Sequence, residues 1–214
     1  MKKNLLLTLL LTLSMLTSLA NARFFLGIDG GYSMDKVDVK TEDKTTYTGT
    51  NTIVTPGSFT KNAYLGNGYL FDINLGTEHH FDKNNYVGFR WFLAGGYGRT
   101  TLINQSNNLI KYPSSIIEAN LGLDLLLDVI KFGNNSVGLF GGIEATGLNV
   151  FSMQKDTVIF DTPEIQARAR IGLSLFLADH HRIEFITKIP VYTLNGDENI
   201  YKPLQFMLGY KYVF

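Results

Sequence analysis

From residue 117 to 129 the chain reads Ile-Glu-Ala-Asn-Leu-Gly-Leu-Asp-Leu-Leu-Leu-Asp-Val. Every odd position is apolar. The even positions hold Glu118, Asn120, Gly122, Asp124, Leu126 and Asp128. A period of two belongs to a strand, because successive side chains point to opposite faces. On a helix Asp124 and Asp128 would fall among leucines on overlapping faces. On a strand all three carboxylates share one face, with Leu126, and the other leucines share the opposite one. A sheet with one fully apolar face and one charged face has to hide one of them, and this restricts the fold.

Seven further segments repeat the pattern. In 23–34, Phe24, Leu26, Ile28 and Tyr32 oppose Phe25, Gly27, Asp29, Gly31 and Ser33. In 63–76, Leu65, Tyr69, Phe71, Ile73 and Leu75 oppose Gly66, Gly68, Asp72 and Asn74. Segment 85–98 sets Val87, Phe89, Trp91, Leu93 and Tyr97 against Gly88, Arg90, Phe92 and Gly96. Segments 136–146, 165–177 and 182–192 place Glu144, Arg168 and Arg170, then Glu184 and Lys188, opposite aliphatic faces. The last, 203–214, puts Leu204, Phe206, Leu208, Tyr210, Tyr212 and Phe214 on one side and Gln205, Met207, Gly209, Lys211 and Val213 on the other. The connections between segments run long, short, long, short, long, short, long. Residues 35–62, 99–114, 151–163 and 193–202 read as long polar loops, and 45–55 alternates weakly enough to suggest a small hairpin. The expected fold is therefore all-β: eight antiparallel strands, with both chain ends on the short-turn side.

Two closed sheets fit such strands: a soluble barrel with apolar residues inside, and a transmembrane barrel with apolar residues outside. The charged face is crowded with glycine, which suits a narrow interior. Tyr32, Tyr97, Tyr210, Tyr212 and Phe214 sit at the ends of the apolar faces, like interfacial girdles. Both features favour the transmembrane form. The short-turn and long-loop asymmetry then sets the long loops outside the cell.

Export is written at the start of the chain. Lys2 and Lys3 precede an apolar run at 5–19, and Ala20-Asn21-Ala22 is a cleavage box. The expected division is a signal peptide at 1–22 and the barrel at 23–214. The chain carries 19 basic and 19 acidic residues, and losing Lys2 and Lys3 leaves a charge of about −2. No basic excess points to nucleic acid. With no Cys, neither disulfides nor thiolate chemistry is available.

Inverting the faces puts Asp29, Asp72, Glu118, Asp124, Asp128 and Glu144 in the lumen with Arg90, Arg168, Arg170 and Lys188. An eight-strand interior is only wide enough for side chains to fill it. Unpaired charge there is costly, so near balance of sign implies an ionic network that plugs the barrel. Asp124 and Asp128 are expected to meet Arg168 and Arg170, with Glu118 an alternative partner. Glu184 and Lys211 share that inner face, and as the charges nearest the short-turn end they read as solvated ones at its rim. The histidines, His79, His80, His180 and His181, all fall in short turns. No Ser follows at the spacing of a nucleophile–base pair, and adjacent His side chains on an extended segment point apart. No catalytic role, metal or cofactor is expected.

The closing Gly209-Tyr210-Lys211-Tyr212-Val213-Phe214 resembles the terminal-strand signal of bacterial outer-membrane barrels. In those proteins the signal is read by the barrel-assembly machinery. By architecture the mature chain resembles the small OmpA- and OmpX-type barrels. Together with the opening Phe24-Phe25-Leu26-Gly27-Ile28-Asp29-Gly30-Gly31-Tyr32, the closing motif is similar to the barrel ends of the Helicobacter outer membrane protein family. That resemblance implies a bacterial outer-membrane location and a monomer surrounded by lipid and lipopolysaccharide. It also implies either a structural or adhesin-like role, with a host or matrix ligand at the loops, or a small porin-like channel. Most members carry larger extracellular domains than the Thr-rich first loop here. Lipid-modifying enzymes of the same architecture are the least favoured reading, because the His-x-Ser pattern is missing.

Overall fold

The computed structural model describes residues 22–214 except 42–43, 49–50, 83–84, 155–156 and 195–198. The expected signal peptide lies outside the described residues. The strands are β1 (Arg23–Thr41), β2 (Lys44–Thr48), β3 (Asn51–Thr55), β4 (Ser58–His80), β5 (Val87–Asn104), β6 (Lys111–Phe132), β7 (Asn135–Gln154), β8 (Thr157–Leu177), β9 (His181–Thr193) and β10 (Asn199–Val213). Eight of them close into one antiparallel barrel in the order β1-β10-β9-β8-β7-β6-β5-β4. β2 and β3 form a separate hairpin, with Lys44 opposite Thr55.

Closure gives each of these eight strands a neighbour on both sides, as a bilayer demands because lipid offers no hydrogen-bond partners. The seam runs between the two ends of the chain. Phe25 faces Val213 and Val39 faces Asn199, and the Phe214 amide donates to the Phe24 carbonyl at 2.8 Å. The apolar faces point outward: Ile28, Phe71, Ile73, Leu93, Leu121, Leu123, Ile171 and Phe185 are all exposed. Among the described residues no helix is long and apolar enough to cross a membrane. The apolar belt lies on the strands.

The strands are longer than the alternation suggested. β1 continues through Thr41, β4 begins at Ser58, β5 reaches Asn104 and β7 reaches Gln154. Much of what reads as long polar loop is ladder that outruns the apolar belt. The antiparallel pairing continues beyond the apolar faces, and water tolerates the polar outer faces there. The short end turns tightly. Gly133 opens the two-residue turn after β6 at φ 64°, a conformation glycine adopts without strain. Neighbouring turns are tied together, with Asn134 donating to Asp179 at 2.8 Å and the Ala178 amide donating to the Asn135 side chain at 2.9 Å.

Small residues make room for the interior. A methyl group on Gly122 would overlap the Phe92 ring, and one on Gly172 would overlap Phe140. Each aromatic ring crosses the lumen over a neighbouring strand's glycine. This explains the glycine-rich inner face.

Candidate functional site

The interior is built in three levels. Near the short turns, Phe25, Phe92, Phe176 and Val213 pack together. At the long-loop end, Val37, Leu102, Ile116, Leu148, Val150 and Tyr201 converge from five strands into an apolar cluster. Tyr64 and Tyr112 pack against it, their rings edge to face at 5.6 Å. Most of the charges lie between, among Leu70, Leu126, Phe140, Ile186 and Met207 of the same cluster.

Parity puts every predicted lumen residue on the inner face, and the register then selects partners. Arg90 is 0% exposed, 2.6 Å from Asp124 and 2.5 Å from Glu184. Arg170 reaches Glu144 at 2.9 Å and Asp124 at 3.4 Å. Arg168 reaches Glu118 at 3.0 Å and Glu144 at 3.6 Å. Lys188 lies 2.8 Å from Asp72, 3.5 Å from Glu118 and 3.7 Å from Glu144. Lys211 bridges Asp29 at 3.1 Å and Glu184 at 2.7 Å. These contacts form one continuous network from Asp72 to Asp29. A second set lies nearer the turns. Arg182 sits 3.2 Å from Glu78 and 3.3 Å from Asp128; Glu78 also holds Arg23 at 2.8 Å, and Asp128 holds His80 at 3.2 Å.

The aromatic rings below serve the same cations. Arg170 lies 4.1 Å from the centre of Phe92, Arg182 4.6 Å from Phe176, and Arg90 5.1 Å from Phe140. A desolvated guanidinium over a ring face gains about 2 kcal/mol, so the rings help to offset burial of the arginines.

Several sequence expectations change here. Arg168 pairs with Glu118 and Glu144, whereas Asp124 is held by Arg90 and Arg170. Strand shear offsets residues that look level in sequence. Glu184 and Lys211 are not rim charges: Glu184 is 0% exposed and joins Arg90 to Lys211. Glu78 was missed because it fell in a stretch assigned to a turn, and Arg182 because it stood at the first position of its segment. Their parity matches Glu184 and Asp72, and that was the signal available. The apolar cluster at the long-loop end was missed for the same reason, since Val37, Leu102, Val150 and Tyr201 lie at or beyond the ends of the recognised alternation.

At the long-loop mouth, polar groups surround the apolar cluster. The Tyr201 hydroxyl donates to Asp35 at 2.7 Å, and Ser33 donates to the same carboxylate. The Tyr201 amide donates to Glu164 at 2.6 Å. Glu164 lies beyond the girdle residue Tyr192, which faces Ala167. Burial pushes its carboxyl up to about 7, against the Tyr201 and Gln166 hydrogen bonds that pull it down.

The closing-strand motif divides by face. Gly209 points inward beside Asp29, while Tyr210, Tyr212 and Phe214 point outward. The outward rings form a girdle with His180 of the neighbouring turn and His181 at the start of β9. His180 stacks on Tyr212 at 5.6 Å, and His181 Nδ1 lies 2.8 Å from the Tyr210 hydroxyl. Phe214 meets Tyr212 at 5.0 Å and Phe24 at 5.7 Å.

A search of curated proteins finds no match. Among solved structures, the chain is similar to Ail, the attachment invasion locus protein of Yersinia pestis. The identity is 14% over 89% of this chain and 98% of that one, with a TM-score of 0.39. It is also similar to the outer membrane protein OprG from Pseudomonas aeruginosa, at 11% identity over 91% of this chain and 97% of that one, with a TM-score of 0.49. The sequence profile of the Helicobacter outer membrane protein family matches residues 72–214. This span runs from Asp72 in the lumen through the whole of the closing strand. The chain belongs to the Helicobacter outer membrane protein family and is a β-barrel of the bacterial outer membrane.

Proposed function

We propose that this barrel is a non-conducting, non-enzymatic surface-interaction protein. Its filled membrane section holds the long-loop end, with the β2–β3 hairpin, outside the cell for contact with a host or matrix ligand. One observation carries the reading: the interior is packed throughout, with a charge network at the centre and the Val37, Leu102, Ile116, Val150 and Tyr201 cluster at the outer mouth. A conducting pore needs a continuous wet path. Here the lumen cations Arg90, Arg168, Arg170, Arg182 and Lys188 are buried. The strands that outrun the apolar belt also support it, because they lift the loops clear of the membrane on a stiff ladder. The outward-facing Tyr210, Tyr212 and Phe214 suit the closing strand to recognition by the assembly machinery.

Planar-bilayer recordings on refolded protein should show no discrete conductance. Cells carrying the intact barrel should bind matrix proteins or host cells, and replacing residues 44–55 with a short Gly-Ser linker should abolish that binding. Stable single-channel steps from the unmodified protein, with no loss of binding in the hairpin replacement, would establish the small-channel reading instead.

A further inference from the structure

One seam of the barrel is closed in its upper part by side chains and not by backbone. Among the described residues the β9–β10 ladder runs from His181 opposite Tyr212 to Lys188 opposite Gln205 and stops there. Continued by two residues, the same register sets Pro190 opposite Pro203. Backbone groups of residues two apart on a strand point to the same neighbour, and the Val213 amide donates to the His180 carbonyl at 2.7 Å. Position 203 therefore points its backbone at β9, and position 190 points its own at β10. A pair of that kind is held by two N–H···O bonds, one donor from each residue. Proline has no N–H, so both bonds are missing at one place, and there the ladder ends.

Above this point each strand stays with its other neighbour. β10 remains on β1 as far as Asn199 opposite Val39. β9 remains on β8, with Thr193 opposite Gln166 and the Leu194 amide donating to the Ile165 carbonyl at 2.8 Å. The β8–β9 register slips by one residue at Val191, and Val191 and Tyr192 are both exposed, so β9 twists there. The gap to β10 is crossed from β8. Glu164 accepts the Tyr201 amide at 2.6 Å, and Gln166 donates to the Tyr201 carbonyl and, at 2.8 Å, to Glu164. Below them Arg168 donates to Gln205 at 3.3 Å. Three inward side chains of β8 thus replace β9 as the partner of β10. The same features keep the edge from recruiting a foreign strand, because two donors are absent and the Tyr201 backbone is already engaged. They also let a wall beside lipid do without its ladder, since the prolines leave no bare donor.

We infer that the β9–β10 seam above Lys188 and Gln205 is a lateral gate, which parts by releasing Tyr201 from Glu164 and Gln166 while the ladder below stays closed. Opening bares the apolar cluster around Val37 and Tyr201 to the side, at the outer girdle. The ionic network beneath is untouched, so the open gate makes a side pocket and no channel. Ionisation of Glu164 is the trigger. Closed, the carboxyl is buried, and burial raises it to about 7 against the pull of Tyr201, Gln166, Arg168 and Lys202. Of the two cations, Lys202 is shared with Asp38, and Arg168 with Glu118 and Glu144. β1 contributes Asp35, on the Tyr201 hydroxyl; β7 presents Leu148, and β9 has no charged residue above Lys188. Open to water, Glu164 returns to its ordinary 4.5. The closed form holds the proton more tightly, so acid keeps the gate shut and rising pH releases it.

The chain has no Cys, and Val37 is buried on β1 opposite Tyr201, so Val37→Cys is a probe of opening. Its labelling by a maleimide in detergent micelles is divided by that of a free thiol at the same pH. From pH 5 to pH 8 this ratio should rise about seventyfold, the change that carboxyl values of about 7 closed and 4.5 open require. Adding Glu164→Gln should abolish the rise. Adding Pro190→Val/Pro203→Val restores both donors and should slow labelling at pH 8 about tenfold or more. Met207→Cys, buried below the prolines, should show no rise. A pH-independent ratio for Val37→Cys, a rise that survives Glu164→Gln, or a rise shared by Met207→Cys overturns the proposal. Unchanged labelling in the proline double variant, shown closed by a heat-modifiability gel, also overturns it, because the reagent would then enter through the mouth. If that variant does not close, the Glu164→Gln and Met207→Cys results decide.

Discussion

Replacing Arg90 with Met tests whether the interior is dry. Arg90 joins β5 to β6 through Asp124 and to β9 through Glu184, with contacts of 2.6 and 2.5 Å. At charge separations near 4 Å and the effective dielectric suited to such sites, each contact is worth about 4 kcal/mol of gross attraction. Desolvating a guanidinium costs several kcal/mol in return. The larger effect of the substitution is on what remains. Glu184 keeps only Lys211 at 2.7 Å, and Asp124 keeps only Arg170 at 3.4 Å. A broken buried pair costs about 3–5 kcal/mol, and Arg90→Met is expected to fall in that range because Met preserves much of the volume. Urea unfolding in detergent micelles, followed by Trp91 fluorescence and by the shift between folded and unfolded bands on cold gels, measures it. Adding Glu184→Gln to Arg90→Met should recover a third or more of the loss, since the stranded charge is then removed. A single variant within about 1 kcal/mol of the parent would refute the reasoning, because that is the value of a solvated pair.

Arg168→Ala should behave similarly, and Glu118→Gln should partly rescue it, whereas Asp124→Asn should not; a double-mutant cycle on urea midpoints separates the two pairings. Deleting Phe214 removes a girdle ring and one backbone hydrogen bond, so refolded protein should lose about 1 kcal/mol, while its outer-membrane level in cells, read by fractionation, should fall severalfold. The raised pKa of Glu164 means that the folded form retains a proton that the unfolded chain releases near its ordinary 4.5. The contribution of Glu164 to stability should therefore be full below about pH 4.5 and fall by about 3 kcal/mol as pH rises to 7; the difference between parent and Glu164→Gln across that window isolates it. Cysteines at Thr60 and Asn107 should react with an impermeant maleimide on whole cells, and cysteines at Asp82 and Asn134 should react only after lysis.

Much of the fold is legible from parity alone. Once Asp124 and Leu123 are known to face opposite sides, one decision about lipid orients all eight staves, and glycine and tyrosine placement supplies it. Parity is local, however, and register is not. Nothing near Arg168 says whether it meets Asp124 or Glu118 on another strand, because that depends on shear summed around the ring. The ends of the strands are equally hidden. Beyond Tyr32 the outward residues Lys36 and Lys40 look like loop, yet Val37 between them points into the apolar cluster. Alternation with a polar outer face and single inward apolar residues carries little contrast. The ladder continues there because its hydrogen bonds, which the side chains do not encode, are formed by the backbone.

The seam at β10 has a consequence for how the barrel is made. Lys211 is the one lumen cation that β10 contributes, and it satisfies Asp29 on the first strand and Glu184 on β9 together. A chain that has paired every stave but the last therefore leaves Asp29 without its ammonium and Glu184 with Arg90 alone, and water must stay to solvate them. Such an open sheet keeps a wet, negatively charged trough. It resists early collapse and is repelled by other copies of itself. Arrival of β10 zips both edges, delivers the missing ammonium and expels the water in one step. The charge that ends the chain's interior thus acts as a latch, and the closed state is the first in which the acids of the seam can be dry.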